Sequence, residues 1–138
     1  MSDLDQLKGV IRQSTELSKL GHDEEALALV DDSLARAIRE NRAMWIRVLS
    51  HQAAVISDSM GDQQRVRRYY EQSLTSSPDS PMALYGFAKV LHRLGETAQA
   101  KEHAAKCYRL IQGSDSELDS ALLELVLSSW PELRQPQN

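Results

Sequence analysis

The sequence predicts an all-α chain of about seven helices, paired as antiparallel hairpins. Three observations point there. Apolar residues recur at three- and four-residue spacing through most of the chain, the signature of helices with one buried face. Glycines at 21, 61 and 95 each interrupt such a run where a helix needs a residue that tolerates positive φ to stop. Aromatic residues make up only 5% of the chain, while Ala, Leu, Glu, Gln and Arg are plentiful, which favours helix over sheet.

The elements follow in order. Leu4 to Leu20 is the first helix, with Leu4, Leu7, Val10, Ile11, Leu17 and Leu20 mostly on one face; Asp3 is its expected N-cap, with Gln6 three residues on. After Gly21, the acids Asp23, Glu24 and Glu25 favour a new helix start. That helix carries Ala26, Leu27, Val30, Leu34 and Ile38 along one side and frays near Asn41. The third, Arg42 to Met60, presents Trp45, Leu49, Ala53, Ile56 and Met60 before Gly61 stops it. The fourth, QQRVRRYYEQSL, ends in SSPDSP, a turn rich in serine and proline. Pro81 to Leu110 then forms two helices joined at Gly95. Ser114 with Glu117 reads as a capping box opening a last helix that runs to about Trp130, where Pro131 stops it.

The glycines also measure a period. Gly61 to Gly95 is 34 residues, and Pro78 lies 17 beyond Gly61. Helix–turn–helix content at this period resembles the tetratricopeptide repeat family. That family places small residues where its two helices cross, because close crossing leaves no room for bulk. The matching positions are Ser14, Ala26 and Ser33, then Ala54, Val66 and Ser73, then Ala88, Ala100 and Cys107. Only Val66 departs. The large positions fit less evenly: Val10, Leu17, Val30 and Leu34 suit the first repeat, and Leu84, Phe87, Leu91 and Tyr108 the third. In the second, Ser50 and Ser57 fall where large residues belong, while Tyr70, Leu74 and Pro78 match. Gly21 to Gly61 spans 40 residues, so helices two and three should each be longer by almost a turn.

The resemblance implies a right-handed superhelix of helix hairpins. Its repeats would cover about 7–41, 47–80 and 81–114, with a capping helix at about 115–130. Residues 1–132 would form one domain and 133–138 a flexible tail.

Composition narrows the function classes. A hydrophobic fraction of 41%, a charged fraction of 26% and a net charge of −4 describe an ordinary soluble chain and argue against a nucleic-acid binder. RVRRYY, Arg65 to Tyr70, mixes basic and aromatic residues as single-strand binders do, but it also reads as a helix with arginines outward and Tyr70 packed, the preferred reading. No stretch is long and apolar enough to span a bilayer, and the N-terminus lacks a signal pattern. A single cysteine, Cys107, cannot form an intramolecular disulfide and suits the cytoplasm; at a helix-crossing position it is expected in the core.

The chain holds no G-x-G-x-x-G, G-x-x-x-x-G-K, G-x-S-x-G or H-E-x-x-H, and His22, His51, His92 and His103 lack zinc-ligand spacing. Asp23, Glu24, Glu25, Asp31 and Asp32 read as a solvated acidic face rather than a cation site. Neither an enzyme, a cofactor nor a metal is expected.

The resemblance implies instead a protein or peptide partner on the inner face of the leading helices. Transferred position by position, that face comprises Lys8, Ile11, Thr15, Ser18 and Lys19, then Val48, His51, Val55, Asp58 and Ser59, then Met82, Tyr85, Lys89, His92 and Arg93. Its bases are Lys8, Lys19, Lys89 and Arg93, against the single acid Asp58, so an acidic or carboxylate-ended segment would suit it. Lys8, Lys19, His51, Val55, Tyr85, Lys89, His92 and Arg93 are the candidate binding residues. Chaperone-tail binders of this family need lysine, asparagine and arginine at positions held here by Ile11, Thr15, Gln52, Met82 and Gly86, so that terminal motif is not expected to bind.

The last helix could cap the array through Leu118, Leu122, Leu125 and Trp130. Leu123, Val126 and Leu127 widen its apolar arc, which makes homodimerisation through this helix the alternative to an adaptor, chaperone-like or assembly-factor role.

Overall fold

A computed structural model describes residues 2–134. Within them the backbone forms seven α-helices: α1 (Asp3–Lys19), α2 (Asp23–Arg39), α3 (Ala43–Ser59), α4 (Gln63–Ser76), α5 (Pro81–Arg93), α6 (Thr97–Ile111) and α7 (Glu117–Ser129). A 3-10 turn, Pro131–Arg134, follows and takes up the first two residues of the expected tail; 135–138 lie outside the described residues. At 17 residues each, α2 and α3 exceed α4 at 14 and α5 at 13, the extra turn that the wider glycine spacing called for.

One device ends four of these helices. Gly21, Asn41, Gly61 and Gly95 stand at φ of 83°, 54°, 76° and 85°. In each case the next residue's N–H reaches five residues back, from His22 to Leu17, Arg42 to Ala37, Asp62 to Ser57 and Glu96 to Leu91, at 2.8–3.0 Å. These are Schellman closures, which satisfy carbonyls that the helix end would otherwise leave bare. Helix α2 therefore does not fray: Asn41, the non-glycine type most at ease in the left-handed region, stops it cleanly.

Helix starts are corrected in two places. Ser2 rather than Asp3 caps α1, its hydroxyl accepting from the Asp5 N–H at 3.2 Å. Ser116 rather than Ser114 caps α7, accepting from the Asp119 N–H at 3.3 Å, while Ser114 donates to the Asp119 carboxylate at 2.8 Å. In both cases the residue whose backbone stays extended becomes the cap.

The contacts divide the chain into two compact units, with the boundary between Ser77 and Pro78. In the first, α1 packs on α2, α2 on α3 and α3 on α4, with α1 also meeting α3. Its core gathers Leu7, Ala26, Leu27, Val30, Leu34, Ala37, Ile46, Leu49, Ala53 and Ile56. In the second, α5 packs on α6, α6 on α7, and α7 on the 3-10 turn. Leu84, Phe87, Val90, Leu91, Ala100, Ala104, Cys107, Ile111, Leu122, Val126 and Trp130 are buried there. Of the nine helix-crossing positions eight are buried, including the non-small Val66, and Ser33 is half-buried.

Three apolar stripes are narrower or rotated from expectation. In α2 the stripe ends on Ala37, leaving Ile38 exposed; in α3 Ile46 is buried in place of Trp45, whose ring lies under the Arg42 guanidinium at 4.0 Å. In α7 the buried residues are Leu122, Val126 and Trp130, four apart along one line, whereas Leu118 and Leu125 are 67% and 51% exposed. Leu20, counted on the α1 face, is exposed beyond the end of its helix.

Candidate functional site

In the first unit the leading helices α1 and α3 meet along an apolar slot of about 360 Å³. It is lined by Leu4, Leu7, Lys8, Ile11, Arg12, Met44 and Val48. The spacing explains it. On α1, Leu4, Lys8 and Ile11 recur every three or four residues; on α3, Met44, Val48 and Val55 fall within one narrow arc. Leu4, Met44, Val48 and Val55 are exposed on that face, and the charged lining residues are both bases, Lys8 and Arg12.

Behind the slot α1 and α3 are tied by a polar link. The Gln52 amide donates to the Ser14 hydroxyl at 3.0 Å and to the Thr15 hydroxyl at 2.9 Å. Ser14 and Thr15 in turn donate back to the Ile11 carbonyl at 3.0 and 2.7 Å. Gln52 stands where the chaperone-tail binders need an asparagine. Here its amide group works inside the unit.

In the second unit a smaller pocket, about 220 Å³, opens between the last turn of α5 and the end of α7. Lys89, His92, Arg93, Ser129 and Trp130 line it. The His92 and Trp130 rings meet edge to face, 6.2 Å apart at 78°. Lys89 places its ammonium 5.4 Å over the Tyr85 ring, and burial pushes the Tyr85 phenol up from its ordinary range.

The eight candidate residues thus separate. Lys8 borders the α1/α3 slot, and Val55 shares the α3 face beside it. Lys89, His92 and Arg93 converge on the α5/α7 pocket, with Tyr85 held to it through Lys89. His51 reaches α4 instead: its Nδ1 lies 3.2 Å from the Tyr70 hydroxyl, and burial lowers its pKa through desolvation. Lys19 is exposed at the end of α1 and lines neither cavity. The sequence reading missed Leu4, Leu7, Arg12 and Met44 in the slot, and Ser129 and Trp130 in the pocket. The one signal available for Met44 was its shared arc with Val48 and Val55.

A third concavity, about 410 Å³, lies between the trailing helices α2 and α4 and takes in part of RVRRYY. Its walls include Glu24, Asp31, Ile38, Arg65, Arg68 and Tyr69. Arg65 binds both Glu24 oxygens, at 3.0 and 3.3 Å, and this pairing holds the guanidinium firmly protonated. The Tyr69 hydroxyl donates to Asp31 at 2.7 Å; burial first, and that carboxylate second, raise its pKa. Tyr70 is buried, and Arg67 pairs with Glu71 at 3.0 Å. These groups brace α2 against α4: Tyr70 packs as expected, whereas Arg65 and Arg67 are half-buried and paired rather than simply turned outward.

Cys107 is buried, its thiol 3.3 Å from the Pro81 carbonyl, and burial pushes its pKa up to about 11. It packs as a small apolar side chain. No helix among the described residues is long and apolar enough to cross a membrane.

Comparison with known proteins bears on the fold. No family model matches the chain. Among solved structures, the C-terminal TPR-containing domain of a Plasmodium falciparum protein assigned to the FK506-binding proteins superposes with a TM-score of 0.61 at 15% identity, covering 99% of this chain and 97% of that one. Among curated sequences, the cellulose synthase operon protein C of Pseudomonas fluorescens (strain SBW25) is 28% identical over 135 residues, or 93% of this chain. The chain spans about 10% of that relative's length.

Proposed function

We propose that this chain, whose fold is that of a tetratricopeptide repeat array, is a non-catalytic protein–protein interaction module of adaptor or assembly-factor type. The observation that carries the reading is the α1/α3 slot: exposed apolar side chains on the face of two leading helices, rimmed by Lys8 and Arg12. Such a surface fits an apolar side chain carried by an acidic partner segment. At about 360 Å³ it holds one or two side chains, so the partner would anchor there rather than bind wholly within it. The two matches support the same reading. The solved one is a TPR-containing domain, and the sequence match extends over 93% of this chain. The single, buried Cys107 suits a reducing compartment such as the cytoplasm.

Site-specific photocrosslinking tests this. A crosslinker at Val48 should capture a partner from the native host that the same group at Glu102, exposed on α6, does not. Met44→Glu, one turn away on the same face, should abolish that capture while leaving the circular dichroism unchanged. Equal capture from both positions, or capture indifferent to Met44→Glu, would sink the slot as the contact surface.

One observation favours a second reading, self-association through α7. Leu118 and Leu125, seven residues apart and 67% and 51% exposed, form an open seam with Ala121 between them. Sedimentation velocity should then show a dimer that Leu125→Glu dissociates. A concentration-independent monomer eliminates this reading.

A further inference from the structure

We infer that the α5/α7 pocket receives a carboxylate presented by the protein partner, with an apolar group of that partner seated against Trp130. The inference rests on the interaction-module reading and names a second anchoring point for it, chemically unlike the α1/α3 slot.

Size sets the class of ligand. At about 220 Å³ the pocket falls below the roughly 300 Å³ at which sites for whole small molecules begin, so one functional group and its stem fill it. Charge sets the sign. None of the lining residues is acidic, and α5 carries no Asp or Glu from Pro81 to Arg93 in a chain of net charge −4. The Lys89 ammonium makes no ion pair among the described residues; its recorded contact is the Tyr85 ring, which positions it without neutralising it. Glu96, in the turn beyond Arg93, is not part of the wall.

One effect opposes an anion here: the pocket sits at the C-terminal ends of α5 and α7, where each helix dipole places about half a negative charge. The Lys89 ammonium sets a full positive charge against these partial ones, and no acid in the wall neutralises it. The end of α5 is also closed by hydrogen bonds from Leu94, Gly95 and Glu96 to its last carbonyls.

The pocket's other wall selects carboxylate over phosphate. Trp130 is buried, and its ring meets the His92 imidazole edge to face. A lysine point charge, an imidazole and the Ser129 hydroxyl beside a buried apolar ring suit a small anion on an apolar stem. Phosphate groups are more often gripped by several guanidinium forks or clustered backbone N–H groups. Neither is present in this wall.

The test uses the full chain and small probes. The indole N–H signal of Trp130, one of two tryptophans, is identified by its loss in Trp130→Phe and followed by NMR. N-acetyl-leucine offers a terminal carboxylate, N-acetyl-glutamate α-amide a side-chain one, N-acetyl-leucinamide neither, and inorganic phosphate an anion with no apolar stem. The expected result is a saturable shift with at least one carboxylate probe and none with leucinamide. Lys89→Glu should weaken it at least tenfold with an unchanged melting curve. Whichever carboxylate probe binds identifies the source. An equal response to leucinamide, saturation by phosphate alone, persistence in Lys89→Glu, or no saturable shift overturns the assignment. Partner capture at Val48 does not use Lys89, so a failed titration beside intact capture removes the pocket and leaves the interaction module standing.

Discussion

Eleven and four residues before the glycine of the turn, α5 carries Leu84 and Leu91, and α3 carries Ser50 and Ser57. All four are buried. The leucines do what the repeat asks, each contributing about 1.5–3 kcal/mol by leaving water. The serines contribute little apolar area, and their hydroxyls have no hydrogen-bond partner among the described residues. The partner helix differs in the opposite sense. Nine residues past the glycine, α4 buries Tyr70 where α6 buries Ala104. Bulk has moved across the hairpin: small on the leading helix and large on the trailing one in the first unit, the reverse in the second. The first hairpin, with Val10, Leu17 and Val30, stands between them. The comparison teaches that the two hairpins bury opposite distributions of bulk at the same addresses, and an exchange of volume between facing helices, the kind that packed cores tolerate best, would account for it.

The comparison breaks most sharply in the second unit. Leu91→Ser puts a serine where no tyrosine compensates, so it loses leucine packing, opens a cavity and buries a hydroxyl. A cost of about 4–5 kcal/mol is expected, read from urea denaturation followed by Trp130 fluorescence. A loss below about 2 kcal/mol would mean that α6 or α7 collapses into the gap, and the volume argument would fail there.

In the first unit Tyr70→Ala should cost about 3–4 kcal/mol, and Ser57→Leu alone should also destabilise by overpacking. Combined, the two should recover at least about 1 kcal/mol relative to their sum, the coupling expected of residues that share a space. Additivity within about 0.5 kcal/mol would show that position 57 and Tyr70 do not trade volume.

These residues also show why the sequence was legible in one part and opaque in another. Helix number, the glycine stops and the crossing positions could be read because each depends on local backbone chemistry or on a residue having to be small. Ser14, Ala54 and Ala88 illustrate that rule. Ser50 and Ser57 looked like a degenerate helix because the buried bulk of this hairpin, Tyr70, sits on another helix and no single-helix pattern contains it. Asn41 was missed as a stop for a simpler reason: it performs glycine's role at φ 54° under another name. The candidate site was legible only as a list of positions on leading helices. Which of them converge depends on side-chain reach, and that sent His51 to Tyr70 and brought Trp130, from the end of α7, to His92.

A smaller effect tests the serines themselves. Ser50→Ala removes a buried hydroxyl without a partner and adds helix propensity, so a gain of about 1 kcal/mol is expected by urea denaturation followed by Trp45 fluorescence. No gain, or a loss, would show that the hydroxyl is satisfied in solution and that its burial carries no cost.

The smallest effect separates the two units by their response to pH. His51 and Tyr85 occupy the same address, ten residues before the glycine. Burial depresses the pKa of His51 below its ordinary 6.5 and raises that of Tyr85 above its ordinary 10.0, so His51 has the ordinary value nearer neutrality. In the folded unit the imidazole resists protonation, whereas in the unfolded chain it takes a proton as pH falls through about 6.5. Acid therefore favours the unfolded chain, and stability present above pH 6.5 is lost as pH falls through that value. Substituting His51→Tyr gives the first unit the residue that the second already has. Relative to the unsubstituted chain, its urea midpoint, read from Trp45, should fall less between pH 7.5 and about 5.5. The other three histidines are common to both chains and cancel in the difference. Parallel pH profiles would mean that His51 titrates in the folded unit as it does in water, and that its contact with Tyr70 does not discriminate between its protonation states.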